Sequence, residues 1–317
     1  MPYLIFYSRN ESMSLKRIIL AAIPSLFFIA TTSFATSIMH QDGLVPSGKG
    51  YGVPSVKALK VTAAGNGIDY HGGEVMGTAA GATPNFYVIY YGNWPANTGQ
   101  SLIENFLRNI GPQPFYGILS TYYNASNQHV QKKATFVKSI SDNYSQGKAL
   151  SDSSISTIVS NAISSGKLPL DSNGVYFVLT SSDVTETSGF CSQYCGWHVA
   201  DVYQNRAYIR VAFIGNASKQ CPGGCMIQQT SPNNNAGVDA MINIIGHEMS
   251  ESVTDPLGNA WYDTSGQENA DKCNFNFGTT QKAPNGSKYN QVVGNTRYLV
   301  QQDWVNANGG YCAQGYT

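Results

Sequence analysis

The chain has 317 residues, enough for one large domain or two small ones, and carries 19 basic and 19 acidic side chains. Charged residues make up only 12% of it, about half of ordinary usage, and no basic patch or arginine-rich run is present, which argues against nucleic acid as a partner. Tyr, Asn, Ser and Gly are abundant instead, a polar but uncharged composition that suits an extracellular protein.

The amino terminus reads as a secretory signal. Lys16 and Arg17 precede the apolar run IILAAIPSLFFIA, and Ser33-Phe34-Ala35 places small residues at the two positions a signal peptidase reads. The run is too short for a membrane span and has no stop-transfer flank. Cleavage after Ala35 removes Arg9, Glu11, Lys16 and Arg17, three cations and one anion, and leaves a net charge of −2. Residues 36–68, rich in Gly, Pro and Ser with little periodicity, read as a flexible leader, a pro-segment or a linker.

From residue 69 the pattern tightens into one domain. YHGGEVMG and NFYVIYYGNW predict two strands, the second almost wholly apolar and therefore buried. SLIENFLRNI sets Leu102, Ile103, Phe106, Leu107 and Ile110 at helical spacing, and SDSSISTIVSNAISSG repeats that signature with Ser and Asp available as cap. GVYFVLTSSDV and AYIRVAFIG predict two further buried strands, and KYNQVVGNTRYLVQQDW a terminal strand or hairpin. The expected fold is a single mixed α/β (α+β) domain with a disulfide-tied tail.

Cys191, Cys195, Cys221, Cys225, Cys273 and Cys312 follow the signal peptide, and an even count in that setting predicts disulfides. Six cysteines allow about 15 connectivities. Cys273 with Cys312 is the favoured long bridge, since it ties down the tail; the other four can pair locally or cross between CSQYC and CPGGC. Zinc knuckles are the lesser reading of those two spacings.

The chemistry gathers in IIGHEMSESVTDP. Asn233 to Asn235 supply a cap, Val238, Met241, Ile242, Ile245, Met249 and Val253 form an apolar stripe, and Pro256 ends the helix. His247 and Glu251, four apart, stand one above the other on a second face, with Glu248 about 100° round from His247. This is the arrangement of a zinc-peptidase helix with its second histidine replaced by glutamate. Two ligands stand in a column beside a carboxylate that can take a proton from bound water. Chance gives such a motif only about 0.002 times in this composition.

A third zinc ligand must come from NAWYDTSGQENADKC: Glu268 first, Asp271 second, with His198 in CGWH as an outside candidate. By itself His198 reads more readily as a packed or hydrogen-bonded side chain than as a ligand, and His71 reads as structural. Two rival readings remain. His247, Glu248 and Glu251 can serve packing and loop capping alone. Alternatively Asp255, Asp263, Glu268 and Asp271 are oxygen donors of the kind calcium takes, without the spacing of an EF-hand loop. Trp94, Trp197, Trp261 and Trp304 could line a sugar-binding face, though core packing is the commoner use of such side chains.

FCSQYCGWH, CPGGC, VDAMINIIGHEMSESVTDPLGNAWYD, ENADKC and RYLVQ together resemble the secreted exordium or phosphate-induced protein family, over roughly Tyr70 to Cys312. The resemblance implies an extracellular protein associated with cell walls and growth, without a settled biochemical activity. Many plant members of that family lack the His-Glu pair, so HEMSE with ENAD places this chain nearer a zincin-like branch. The expectation is a secreted metal-dependent hydrolase acting on peptide or protein. Zinc would be held by His247, Glu251 and Glu268 or Asp271, with Glu248 as base; NFYVIYYGNW or AYIRVAFIG would present substrate if either lies at a sheet edge. The alternative is a non-catalytic extracellular protein that binds wall material or a receptor.

Overall fold

A six-stranded mixed sheet carries the molecule, seen in a computed structural model that describes residues 45–51 (backbone only), 65–79, 82–96 and 99–317. Its strands are β1 (Val45–Tyr51), β2 (Asn85–Tyr91), β3 (Thr135–Asp142), β4 (Gly174–Thr180), β5 (Tyr194–Tyr203) and β6 (Ala207–Gly215). Across the sheet they run β1-β5-β6-β4-β2-β3. The block β6-β4-β2-β3 is parallel throughout, β5 is antiparallel to β6, and β1 lies parallel to β5. All the described residues fall in one compact unit, Thr36–Thr317. The expected signal peptide, residues 1–35, lies outside the described residues.

Three of these strands follow directly from their apolar runs. A parallel strand covered on both faces needs no alternation, and FYVIYY, GVYFVLT and IRVAFIG are buried throughout. Helices α1 (Gln100–Asn109), α2 (Pro114–Gly117), α3 (Asp152–Ser164) and α4 (Ala236–Thr254) supply the cover. Between β2 and β3 the chain passes through α1, and between β3 and β4 it returns through α3. Right-handed crossovers in opposite directions put those two helices on opposite faces. α4 packs on β5 and β6 and touches α1.

Elsewhere the structure departs from the expectations. YHGGEVMG is not a strand: only Asp69–Tyr70 pairs, with Trp261–Tyr262, and the glycines turn the chain through positive φ at Gly72 and Gly77. Val45–Tyr51, within the stretch expected to be a flexible leader, is a strand in the sheet; backbone pairing to the open edge of β5 requires no side-chain periodicity. The strands NFYVIYY and AYIRVAFIG are both interior, so neither offers an edge to substrate; the edges are β1 and β3. KYNQVVGNTRYLV does form a hairpin, Gln291–Val293 with Thr296–Tyr298, turning at Gly294 and Asn295 with φ of 54° and 63°.

All six cysteines are bridged, Cys191–Cys221, Cys195–Cys225 and Cys273–Cys312. The favoured long bridge is present, and the two clusters cross-link to each other, which leaves no thiol for a zinc knuckle.

α4 begins where Asn235 Oδ1 accepts from Val238 N, and it ends where Asp255 Oδ1 accepts from the backbone of Asn259 and Ala260, both at 2.6 Å. The apolar stripe is buried as expected, but so is every other residue from Gly237 to Thr254. A helix carrying His, Glu and Ser is enclosed on all sides because the segment after it folds back across its polar face. Its approach to β5 depends on Gly196, where a Cβ would meet Phe213 O at 2.7 Å and Ile244 Cγ2 at 2.6 Å. The carbonyl cannot move aside without breaking the sheet. Gly196→Ala is therefore expected to cost about 1–3 kcal/mol, read as a melting temperature lower by several degrees; an unchanged melt would show that α4 is not seated there.

Candidate metal centre

His247, Glu248 and Glu251 project from the carboxyl-terminal half of α4, and His198 from the middle of β5 faces them. The return segment brings the acids. Trp261–Tyr262 pairs with Asp69–Tyr70, and a short turn at Asp271–Cys273 seats itself when Asp271 N donates to Glu251 Oε1 at 3.2 Å. Asn269 Nδ2 reaches Ser250 O, while Gln301 Nε2 holds Ala270 O and Gln301 N holds Asn243 Oδ1. The ENAD and RYLVQ segments are thus fastened to α4 and to each other.

Two sets of side chains converge closely enough to share an ion: His247, Glu251 and Asp271, and His198, Glu248 and Glu251. In the first, His247 Nε2 lies 2.8 Å from Glu251 Oε1 and 3.5 Å from Asp271 Oδ1. Two ligands about 2.0 Å from a tetrahedral ion sit roughly 3.3 Å apart, and the two distances fall on either side of that value. The 2.8 Å approach is an ion pair rather than a well-aligned hydrogen bond. A buried nitrogen and two carboxylate oxygens converging at this spacing fit a divalent cation. In the second set His198 Nδ1 donates to Glu248 Oε2 at 3.1 Å and lies 3.3 Å from Glu251 Oε2.

Glu268 stands elsewhere than expected. It faces the other ring nitrogen of His198, Nε2 to Oε2 at 3.4 Å, and the structure groups Asp271 rather than Glu268 with His247. His198, rated below both, sits at the centre. The calcium-type loop is not assembled: Asp255 caps the turn after α4, Asp263 pairs with Lys272 at 3.0 Å, and both converging sets among the described residues contain histidine. His71 is structural as expected, stacked on Tyr262 at 3.7 Å.

Electrostatics point the same way. Burial opposes charge on both imidazoles, yet Glu268, Glu248 and Glu251 hold His198 well above its ordinary pKa, and Glu251 and Asp271 do the same for His247. Burial alone would raise Glu251, but the two histidines bring it down to about 2. The remaining acids respond to burial first: Glu248, Glu268 and Asp271 are raised, Asp255 to about 6 and Asp303 to about 7. Six carboxyl groups crowd two imidazoles inside the protein, and burial holds five of them toward the neutral form; a divalent cation would let them ionise. A cavity of about 180 Å³ lined by Asp255, Gly258, Tyr262, Gly266 and Glu268 borders the cluster.

Residues 68–313 match the phosphate-induced protein 1 conserved region. The chain belongs to the phosphate-induced protein 1 family. Protein EXORDIUM-like 5 of Arabidopsis thaliana is 31% identical over 276 residues, 75% of each chain. EXORDIUM-like 3 of the same plant is 30% identical over 283 residues, covering 77% of this chain and 82% of that one. Protein PHOSPHATE-INDUCED 1 of Nicotiana tabacum is 24% identical over 55% of this chain and 62% of its own. No solved structure matches. For this family member the mixed sheet, the helices and the three disulfides are thus established here, and among the described residues no helix is long and apolar enough to cross a membrane.

Proposed function

We propose that this exordium-like chain is a secreted metal-dependent hydrolase of zincin-like design, acting on peptide or protein substrates. The carrying observation is the convergence of the buried His247, Glu251 and Asp271 at ligand spacing. Three disulfides support an oxidising compartment. One histidine and two carboxylates suit zinc and tolerate harder ions. Such an ion, when bound, supplies Lewis-acid polarisation and a water of lowered pKa.

The chain's own groups do the rest. Glu248, the residue after His247, accepts the proton of the attacking water at its carboxylate and passes it to the leaving nitrogen. His198 donates to Glu248 and fixes its orientation. Burial, by raising the Glu248 pKa, makes it a stronger base than an exposed carboxylate. The strand beside the cluster is β5, so a peptide added there as a strand would take the place of Val45–Tyr51.

One observation favours a second reading. His247, Glu248 and Glu251 are at most 1% exposed, and closed sites more often hold structural ions than catalytic ones. The ion would then brace a non-catalytic extracellular protein that binds wall material or a receptor. Metal analysis of the secreted chain with a peptide-hydrolysis assay separates the readings. The hydrolase predicts about one zinc per chain, metal lost in His247→Ala and weakened in Asp271→Asn, and activity lost in Glu248→Gln with metal retained. Glu268→Gln keeps its metal. Metal without hydrolysis supports the structural ion, and no metal in any form sinks both.

A further inference from the structure

At the other end of α4 the sheet opens a second site. Asn93 and Trp94 follow the end of β2, Ser181 and Ser182 follow β4, and Asn216 follows β6, three adjacent parallel strands. With Lys219 these residues line a cavity of about 490 Å³, within the range of roughly 300–1,000 Å³ typical of small-molecule sites. From β2 the chain leaves toward β3, and from β4 it leaves the opposite way, past the position of β6 to β5. The crevice at the carboxyl ends of β2 and β4 is therefore the topological switch point, where open α/β sheets bind ligands. About 13 helical residues, on the order of 20 Å, separate Asn235 on its wall from Glu248, so it is distinct from the metal centre.

The lining has a definite chemistry. Trp94 is pinned, its Nε1 donating to Tyr91 O and its ring packed on Tyr90, so a flat aromatic surface stands preorganised. The side chains of Asn93, Ser182 and Lys219 and the amide nitrogen of Asn216 make no hydrogen bond among the described residues, and each can serve a ligand hydroxyl. Among the described residues no carboxylate lines the cavity. Asp183, which accepts from Ser181, is neutralised by Lys148 at 2.7 Å. Lys219 has no ion pair among the described residues, and the α4 amino terminus adds further positive potential. An aromatic plate suits the apolar face of a pyranose, the amides and hydroxyls suit its rim, and the unpaired lysine suits a carboxylate.

We propose that this cavity binds an acidic sugar, a pyranose carrying a carboxylate. The proposal stands apart from the hydrolase reading and needs no metal.

The test is calorimetric titration of the mature, disulfide-bonded chain, made without glycosylation because Asn216-Ala217-Ser218 is an N-glycosylation sequon. Trigalacturonate and its fully methyl-esterified form are the two probes, with the same sugar backbone and differing in the charge and the ester methyl groups. The acid is expected to bind about tenfold or more tightly than the ester, a difference of roughly 1.4 kcal/mol. Lys219→Met should bring the two affinities together, and Trp94→Ala should weaken both about tenfold. Ser182→Trp, which fills the cavity from its rim, should abolish binding while the melting temperature and metal content stay unchanged. No binding of the acid at 10-millimolar order, equal binding of acid and ester, or binding indifferent to Trp94→Ala and Ser182→Trp would each overturn the proposal.

Discussion

Zinc at a free concentration a hundredfold above its Kd should raise the melting temperature by roughly 5–10 °C, and His247→Ala should remove the whole increment. At that loading, binding to the folded state alone contributes about 2.7 kcal/mol, and each kcal/mol moves the melt of a domain this size by about 2–4 °C. The reason lies in what α4 buries. Glu248, Glu251 and Glu268 are enclosed beside His198 and His247, and burial shifts Glu268 well above the ordinary carboxylate range. Folding without an ion must bury those acids protonated or poorly compensated, and a divalent cation removes that cost. Glu248→Gln should keep the zinc increment, because its carboxylate stands outside the His247, Glu251 and Asp271 set. Calcium should give a smaller rise, since it calls for about six or more oxygens and this set has an imidazole in it. A melt that zinc leaves in place, in a chain with its disulfides intact, would remove the basis of the metal centre.

What sequence reasoning recovered, and what it missed, divides by the range of the interactions involved. The runs FYVIYY, GVYFVLT and IRVAFIG announced β2, β4 and β6 because a strand buried on both faces needs little beyond its own apolar residues. α4 announced itself through its cap, its stripe and Pro256. β5 did not, for YCGWHVADVY mixes Gly, His and Asp with cysteines and resembles a bridged loop. Its one usable signal was spacing: Gly196 and His198, two apart, share a face of any strand drawn through them, and that face is turned to α4. Placing Glu268 and Asp271 lay beyond reach for a different reason. The two stand within one turn of chain, and the contact that seats Asp271 beside Glu251, Asp271 N to Glu251 Oε1, spans 20 positions. No local pattern reports such a bond.

Replacing Cys273 and Cys312 together with serine should lower stability by about 4 kcal/mol and weaken zinc binding about tenfold or more. The stability loss follows from the denatured chain: the bridge closes a loop across 39 positions, and chain entropy puts such a loop near 4 kcal/mol. In a domain of this size that is a fall of roughly 8–16 °C in the melt. The loss of affinity follows from position. Cys273 lies two residues after Asp271, and its partner Cys312 pairs with Trp304 in the closing hairpin Asp303–Val305 with Tyr311–Ala313. The bridge therefore holds the turn that carries Asp271 against that hairpin, and on the proposed metal-site reading Asp271 must, without it, be ordered at the moment of binding. Cys191 with Cys221 is the control. Its loop spans 30 positions, so its removal should cost nearly as much stability, but it ties the loop before β5 to the loop after β6 and touches no member of the His247 set. Isothermal titration with zinc, at a temperature where both double mutants are folded, should find the affinity reduced only in the first. Equal reductions in both would mean that general loosening, and not the placement of Asp271, governs the site.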